Sequence, residues 1–192
     1  MQREELEPGA AALVVGPVEA RRSFCLDRLS TADRTAVAVL PPDPAGVVEG
    51  YRRAGGEAPL TVVARDATTD AGRLESDDVR VVDVDAASLP AVGEATLATL
   101  GADGPAPPAD RLWLADLSGP LERTSVQQVY RLLYILSEHV ERVDGVGLYG
   151  LGPSVDGKTT GILGQPLDYQ VTVRPGGAPT FGSPAGRIDG AP

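Results

Sequence analysis

Ala11–Leu29 reads AALVVGPVEARRSFCLDRL. An apolar run, Leu13-Val14-Val15, meets Gly16, and a segment with helical spacing comes next. The run does not alternate, which is the pattern of a strand buried on both faces of a parallel sheet. Phe24, Cys25, Arg28 and Leu29 then recur at three and four residues and predict a helix from about Val18 to Leu29. Strand, glycine and helix match the frame of the phosphate loop G-x-x-x-x-G-K-[ST], with Gly16 first and Arg21, Arg22 and Ser23 in the last three places. The second glycine has become Arg21 and the lysine Arg22.

The chemistry suffers accordingly. In an intact loop, backbone N–H groups wrap the β-phosphate, the lysine bridges β and γ, and the hydroxyl holds Mg²⁺. Ser23 keeps the hydroxyl and Gly16 the turn. Arg22 keeps charge, but a planar fork on a longer stem does not replace an ammonium. A side chain at Arg21 obstructs the backbone curl that glycine permits. The retained candidates for nucleotide binding are Gly16, Arg21, Arg22, Ser23 and Asp116. Ser23 and Asp116 are the pair that would hold Mg²⁺, because Asp116 ends the apolar strand Leu112–Ala115 where a second nucleotide motif places its aspartate. An ordinary strand-to-helix turn and an aspartate at a strand end are the plain alternatives.

Outward from this stretch, the remaining pattern is strands alternating with helices: strands at Thr35–Leu40, Leu60–Ala64, Val79–Val84, Leu112–Leu117, Val146–Gly150 and Asp168–Val173, and helices at Ala45–Arg53, Leu89–Leu100 and Ser125–Val143. That order predicts an α/β fold, a three-layer sandwich with a mostly parallel central sheet. The polar segment Arg65–Asp78 and the Pro/Gly segment Gly101–Asp110 read as surface loops, the latter mobile. Residues 1–10 read as a flexible lead-in, 11–173 as one domain, and 174–192, rich in Gly and Pro, as a disordered tail.

Ser125–Val143 has the strongest periodicity. Val126, Val129, Tyr130, Leu133, Leu136, Val140 and Val143 keep to one face, and Leu132 and Ile135 widen it. So wide a stripe means burial on more than one side or a subunit contact; Tyr130, Leu133, Leu136 and Val140 are the expected contact residues. Gly150–Gly164 contains GKTT at Gly157–Thr160, but Pro153 stands where the upstream glycine belongs, so the segment reads as a loop between the last strands. His139, beside Glu138 and Glu141, reads as solvated helix surface, Trp113 as core, and Cys25 as a small buried hydrophobe.

The 192 residues suffice for one core. With 27 acids against 17 bases, the net charge of −10 argues against a nucleic-acid surface. Lys158 is the one lysine, the other bases being arginine. This bias, with the acidity, resembles haloarchaeal or actinobacterial usage. A single cysteine excludes an internal disulfide. The charged N-terminus has no apolar core for a secretion signal, and no apolar run approaches the ~20 residues that span a bilayer. A cytoplasmic protein is expected.

GPVEARRS at Gly16–Ser23, LWLADLSG at Leu112–Gly119 and VYRLLYILSEHVERVDGVGLYGL at Val129–Leu151 together resemble a RecA/KaiC-type ATPase domain over Ala11–Val173, and more closely its degenerate haloarchaeal members. The resemblance implies a RecA-like sheet. It also implies that TAVAVLPPDPAGV, from Thr35, matches the segment whose paired glutamates activate water, so that Pro41 and Pro42 stand in their places. Proline neither accepts a proton nor orients water. The implied protein is a non-catalytic module, with no catalytic residue and no cofactor, acting in regulation or assembly through protein partners or self-association. The alternative is an ATP- or GTP-binding protein with Mg²⁺ and weak or no hydrolysis.

Overall fold

The computed structural model describes residues 6–65, 74–101 and 108–184. The strands are β1 (Ala11–Val15), β2 (Ala36–Val39), β3 (Leu60–Ala64), β4 (Val79–Asp83), β5 (Arg111–Leu114), β6 (Val146–Leu151), β7 (Tyr169–Thr172) and β8 (Thr180–Gly182). The helices are α1 (Val18–Leu29), α2 (Pro44–Arg53), α3 (Leu89–Leu100), α4 (Ser118–Arg123), α5 (Val126–Arg142) and α6 (Gly157–Gly164). One sheet runs β4-β3-β2-β5-β6-β1-β7-β8, with every pairing parallel except β7 with β8. β1 is interior, with Ala11 opposite Gly147 on one side and Ala12 opposite Tyr169 on the other.

Alternate residues of each strand enter two separate cores. Ala12, Val14, Ala38, Val62, Trp113 and Leu148 pack under α1 and α2 with Cys25, Leu29, Val47 and Tyr51. Leu13, Val37, Val63, Leu114 and Tyr149 pack on the other face with Leu89, Val92, Leu133, Leu136 and Leu163 from α3, α5 and α6. The protein is therefore a three-layer α/β sandwich. Helix starts are fixed by side chains: Asp43 accepts from the Gly46 N–H at 2.9 Å, and Ser125 and Gln128 form a reciprocal capping box.

Five expectations change. The stripe on α5 is consumed by the protein's own fold. Leu133, Leu136 and Val140 are buried, Tyr130 is partly buried, and α5 packs on α3 and α6 as well as on the sheet. Leu133, Leu136 and Val140 are core residues and present no contact surface, while Tyr130 packs against that core from its margin. His139 is buried for the same reason, at 5% exposure. Gly157–Gly164 is a helix, not a loop: the Asp156 carboxylate caps it, and Leu163 buries fully. Three glycines within those eight residues hide the periodicity.

The segment after Val173 is also partly ordered. Thr180–Gly182 pairs with β7 because β7 otherwise ends the sheet with unsatisfied backbone groups. Phe181 meets Phe24 edge-to-face, centroids 6.3 Å apart, and the Arg28 guanidinium stacks 5.4 Å from the Phe24 centroid. Residues 185–192, residues 1–5, and most of the two expected loops (66–73 and 102–107) lie outside the described residues. β5 ends at Leu114, earlier than expected, because Asp116 accepts from the Ser118 N–H at 3.0 Å and turns the chain into α4.

Candidate functional site

The carboxyl ends of β1, β2 and β5 meet the starts of α1 and α2, the edge at which open parallel sheets bind ligands. Only Gly16 and Pro17 separate β1 from α1. The Arg21 N–H already donates to the Pro17 carbonyl at 3.0 Å, so the amides from Arg21 onward are spent on the helix ladder. A phosphate loop needs those amides turned outward. Gly16 serves another purpose. At φ 155° it donates to the Leu151 carbonyl, and a Cβ there would collide with the backbone of Val173. It is a packing glycine that lets the end of β7 close on β1.

Arg21 turns inward and is 2% exposed. Its Nη1 donates to the Ala115 carbonyl at 3.0 Å and reaches Asp116 Oδ1 at 3.4 Å. The two residues placed in one nucleotide site by the sequence are thus joined to each other. Arg22 pairs with Asp43, Nη2 to Oδ2, at 3.4 Å. Ser23 lies about 200° around α1 from Arg21, at ~100° per residue, and is exposed on grooves away from Asp116. The expected Mg²⁺ pair, Ser23 with Asp116, is therefore not assembled. The arrangement does not fit a Mg²⁺-nucleotide: a guanidinium holds the aspartate, the hydroxyl faces elsewhere, and the Gly16 and Arg21 amides are already bonded within the fold.

What these groups leave is a cavity of about 190 Å³, lined by the apolar Val18, Leu40, Pro42, Val47 and Trp113 and by the charged Glu19, Arg21, Arg22, Asp43 and Asp116. Two donors of residues that line it, Arg21 Nε and Trp113 Nε1, are themselves buried without an acceptor among the described residues. Leu40 holds φ at 50°, a left-handed conformation that costs a leucine energy. Burial on the inner face of α1 pushes the Cys25 thiol far up, with the Arg21 charge only partly opposing it.

Because Arg21 is buried and only part-neutralised, two substitutions should separate its charge from its bulk. Arg21→Met keeps most of the packed stem and is expected to cost under about 1.5 kcal/mol in urea unfolding. Arg21→Ala removes the stem as well and is expected to cost about 2–4 kcal/mol. Equal costs would mean that the contact with Ala115 and Asp116 dominates.

Elsewhere, Asp156 Oδ1 accepts from the N–H groups of Lys158 and Thr159, each at 3.0 Å. The backbone N–H of Thr159 is the leading cause that holds its carboxyl below the usual range. The GKTT turn thus already carries its own anion. At the opposite edge of the sheet, a groove of about 680 Å³ is bordered by Glu7, Glu138, Glu141, Asp144 and Asp168. Among the described residues, no group of three or more His, Cys, Asp or Glu could hold a metal ion, and no helix is long and apolar enough to cross a membrane.

Sequence reasoning missed Asp110. It is 4% exposed, and its carboxylate accepts from the N–H groups of Asp33, Arg34 and Thr35 at 2.8, 3.1 and 3.1 Å. An aspartate just before a strand was the available signal, but its partners lie far away in the chain.

A family of unknown function, DUF7504, matches residues 9–173. The chain belongs to the DUF7504 family. Among solved structures, one from a structural study of Pyrococcus horikoshii OT3 is similar, with a TM-score of 0.54 and 12% identity, covering 92% of this chain and 87% of that one. At that identity the likeness concerns the fold of this DUF7504 member alone. No curated protein matches it.

Proposed function

We propose that this DUF7504 protein is a non-catalytic, RecA/KaiC-like module that works in regulation or assembly through protein contacts. The observation that supports it is the closure of Arg21 onto Ala115 and Asp116, in the place where a working site would hold phosphate and metal. The sheet carries both candidate motifs at one edge, so the frame of a nucleotide site remains while its contacts are spent internally. Pro41 and Pro42 offer no base beside it. The exposure of Tyr134 and Ile135 on α5, 45% and 48%, supports a protein contact at that part of the helix. The net charge of −10 weighs against a nucleic-acid partner and suits a salt-rich cytoplasm.

The test is thermal unfolding in molar KCl with Mg²⁺ and millimolar ATP, ADP or GTP. No shift in melting is expected. A nucleotide at 100 times its dissociation constant would stabilise by about 2.7 kcal/mol. A shift of that order, abolished by Asp116→Asn, would favour the nucleotide-binding alternative. In the same samples, light scattering should give a mass above one chain that Ile135→Glu reduces. A monomer that also captures no partner would remove the assembly role.

A further inference from the structure

We infer that a cleft at the foot of the sheet, where the end of α1 meets the starts of β5 and β6, binds a phosphate group. The cleft measures about 190 Å³ and is lined by Leu6, Arg28, Thr31, Arg111 and Val146. It lies at the amino ends of the strands, away from the Arg21–Asp116 contact, and the inference stands apart from the function proposed above.

In a chain of 27 acids and 17 bases, a cleft bordered by two arginines and no carboxylate runs against the general charge. Its donors are accessible. Arg28 sets its guanidinium 5.4 Å from the Phe24 centroid and makes no hydrogen bond or ion pair among the described residues. Its Nε is buried and offers nothing, but Nη1 and Nη2 are neither buried nor bonded there. Arg111 spends Nε on the Thr31 hydroxyl at 3.3 Å and Nη1 on the Asp110 carbonyl at 2.8 Å. Its Nη2 is left unbonded among the described residues and likewise reachable. The Asp110 carboxylate stands 3.6 Å from Arg111 Nη1, but three backbone amides already claim it.

Both guanidinium groups are thus held before a ligand arrives, one by a ring and the other by Thr31 and Asp110. Guanidinium groups so placed bind phosphate oxygens through charge-assisted hydrogen bonds. Two of them also match the charge of about −2 that a phosphate ester carries near pH 7. The end of α1 turns carbonyl dipoles of the wrong sign toward an anion. Hydroxyls blunt them here, since Ser30 donates to the Asp27 carbonyl and Thr31 to the Arg28 carbonyl, each at 2.8 Å. At about 30 Å³ for each water in the liquid, the cleft holds roughly six waters. That space suits one tetrahedral oxyanion.

The full chain would be titrated by calorimetry with inorganic phosphate, methyl phosphate and acetate, at constant ionic strength set by KCl. Saturable uptake of phosphate is expected, with acetate at least tenfold weaker. Methyl phosphate as good as phosphate would support an ester as the source of the group, and a weaker methyl phosphate the free ion. Arg28→Gln and Arg111→Gln should each weaken phosphate at least tenfold. Arg131→Gln, on the exposed side of α5, should leave it unchanged. Circular dichroism checks folding, and Arg28→Gln decides if Arg111→Gln does not fold. No saturable uptake, equal uptake of acetate, or unaltered uptake by folded Arg28→Gln would each overturn the inference. An equal loss in Arg131→Gln would mean a diffuse effect of charge and overturn it as well. The proposed function would survive all four results.

Discussion

Leu133→Asp is expected to leave no cooperatively folded protein at 25 °C. Leu133 is fully buried in the core between α5 and the sheet, among Leu13, Leu136 and Tyr149. Truncation to Ala alone would cost about 2–5 kcal/mol through lost transfer energy and the cavity left behind. A carboxylate there adds an unpaired charge in an apolar setting, where no hydrogen-bond partner compensates it. The sum approaches the whole stability of an ordinary domain, about 5–15 kcal/mol. Loss of the near-ultraviolet signal and of the unfolding transition would confirm it. A folded Leu133→Asp with altered mass would instead return this face of α5 to the role of contact surface.

Asp110→Ala should destabilise by roughly 3 kcal/mol, the scale of losing hydrogen bonds to a buried charge. The Asp110 carboxylate ties three consecutive amides, from Asp33 to Thr35, to the foot of β5. Without it, the turn from α1 into β2 loses its anchor, although the partly exposed amides can turn to water. Asp110→Asn makes a sharper control. Its oxygen can still serve Arg34 and Thr35 from the Oδ1 position, while its NH₂ would confront the Asp33 N–H donor to donor. An intermediate loss, read from urea midpoints at unchanged slope, is therefore expected for Asn. Similar stabilities for wild type and Ala would mean that solvent replaces the carboxylate at no cost.

The sequence made most of the sheet legible because parallel strands buried on both faces leave unbroken apolar runs, as in Ala11–Val15, Ala36–Val39 and Leu60–Ala64. Helix α6 was hidden by glycines, and β8 by its three-residue length and exposure. The width of the α5 stripe pointed to burial on more than one side, but not to which side: only the packed fold reveals that α3 and α6 cover its flanks. At the candidate site, the sequence showed that Arg21 obstructs a phosphate loop. It could not show where the guanidinium goes, because Ala115 and Asp116 come near only through the placement of β5 two strands from β1. The orphaned donors of Arg21 and Trp113 have no sequence signature at all.

The position of β1 in the sheet also sets an order of events for the chain at synthesis. β1 has no bonding neighbour among the strands that directly follow it: both partners, β6 and β7, come after β2 to β5. β2, β3 and β4 can pair as soon as they leave the ribosome, whereas Ala11–Val15 must wait with two bare edges until β6 and then β7 have been added. Its apolar side chains spend that interval exposed to other nascent chains. A halt in translation before residue 146 would hold β1 in that unpaired state, so its demand on chaperones should last until β6 and β7 have been made.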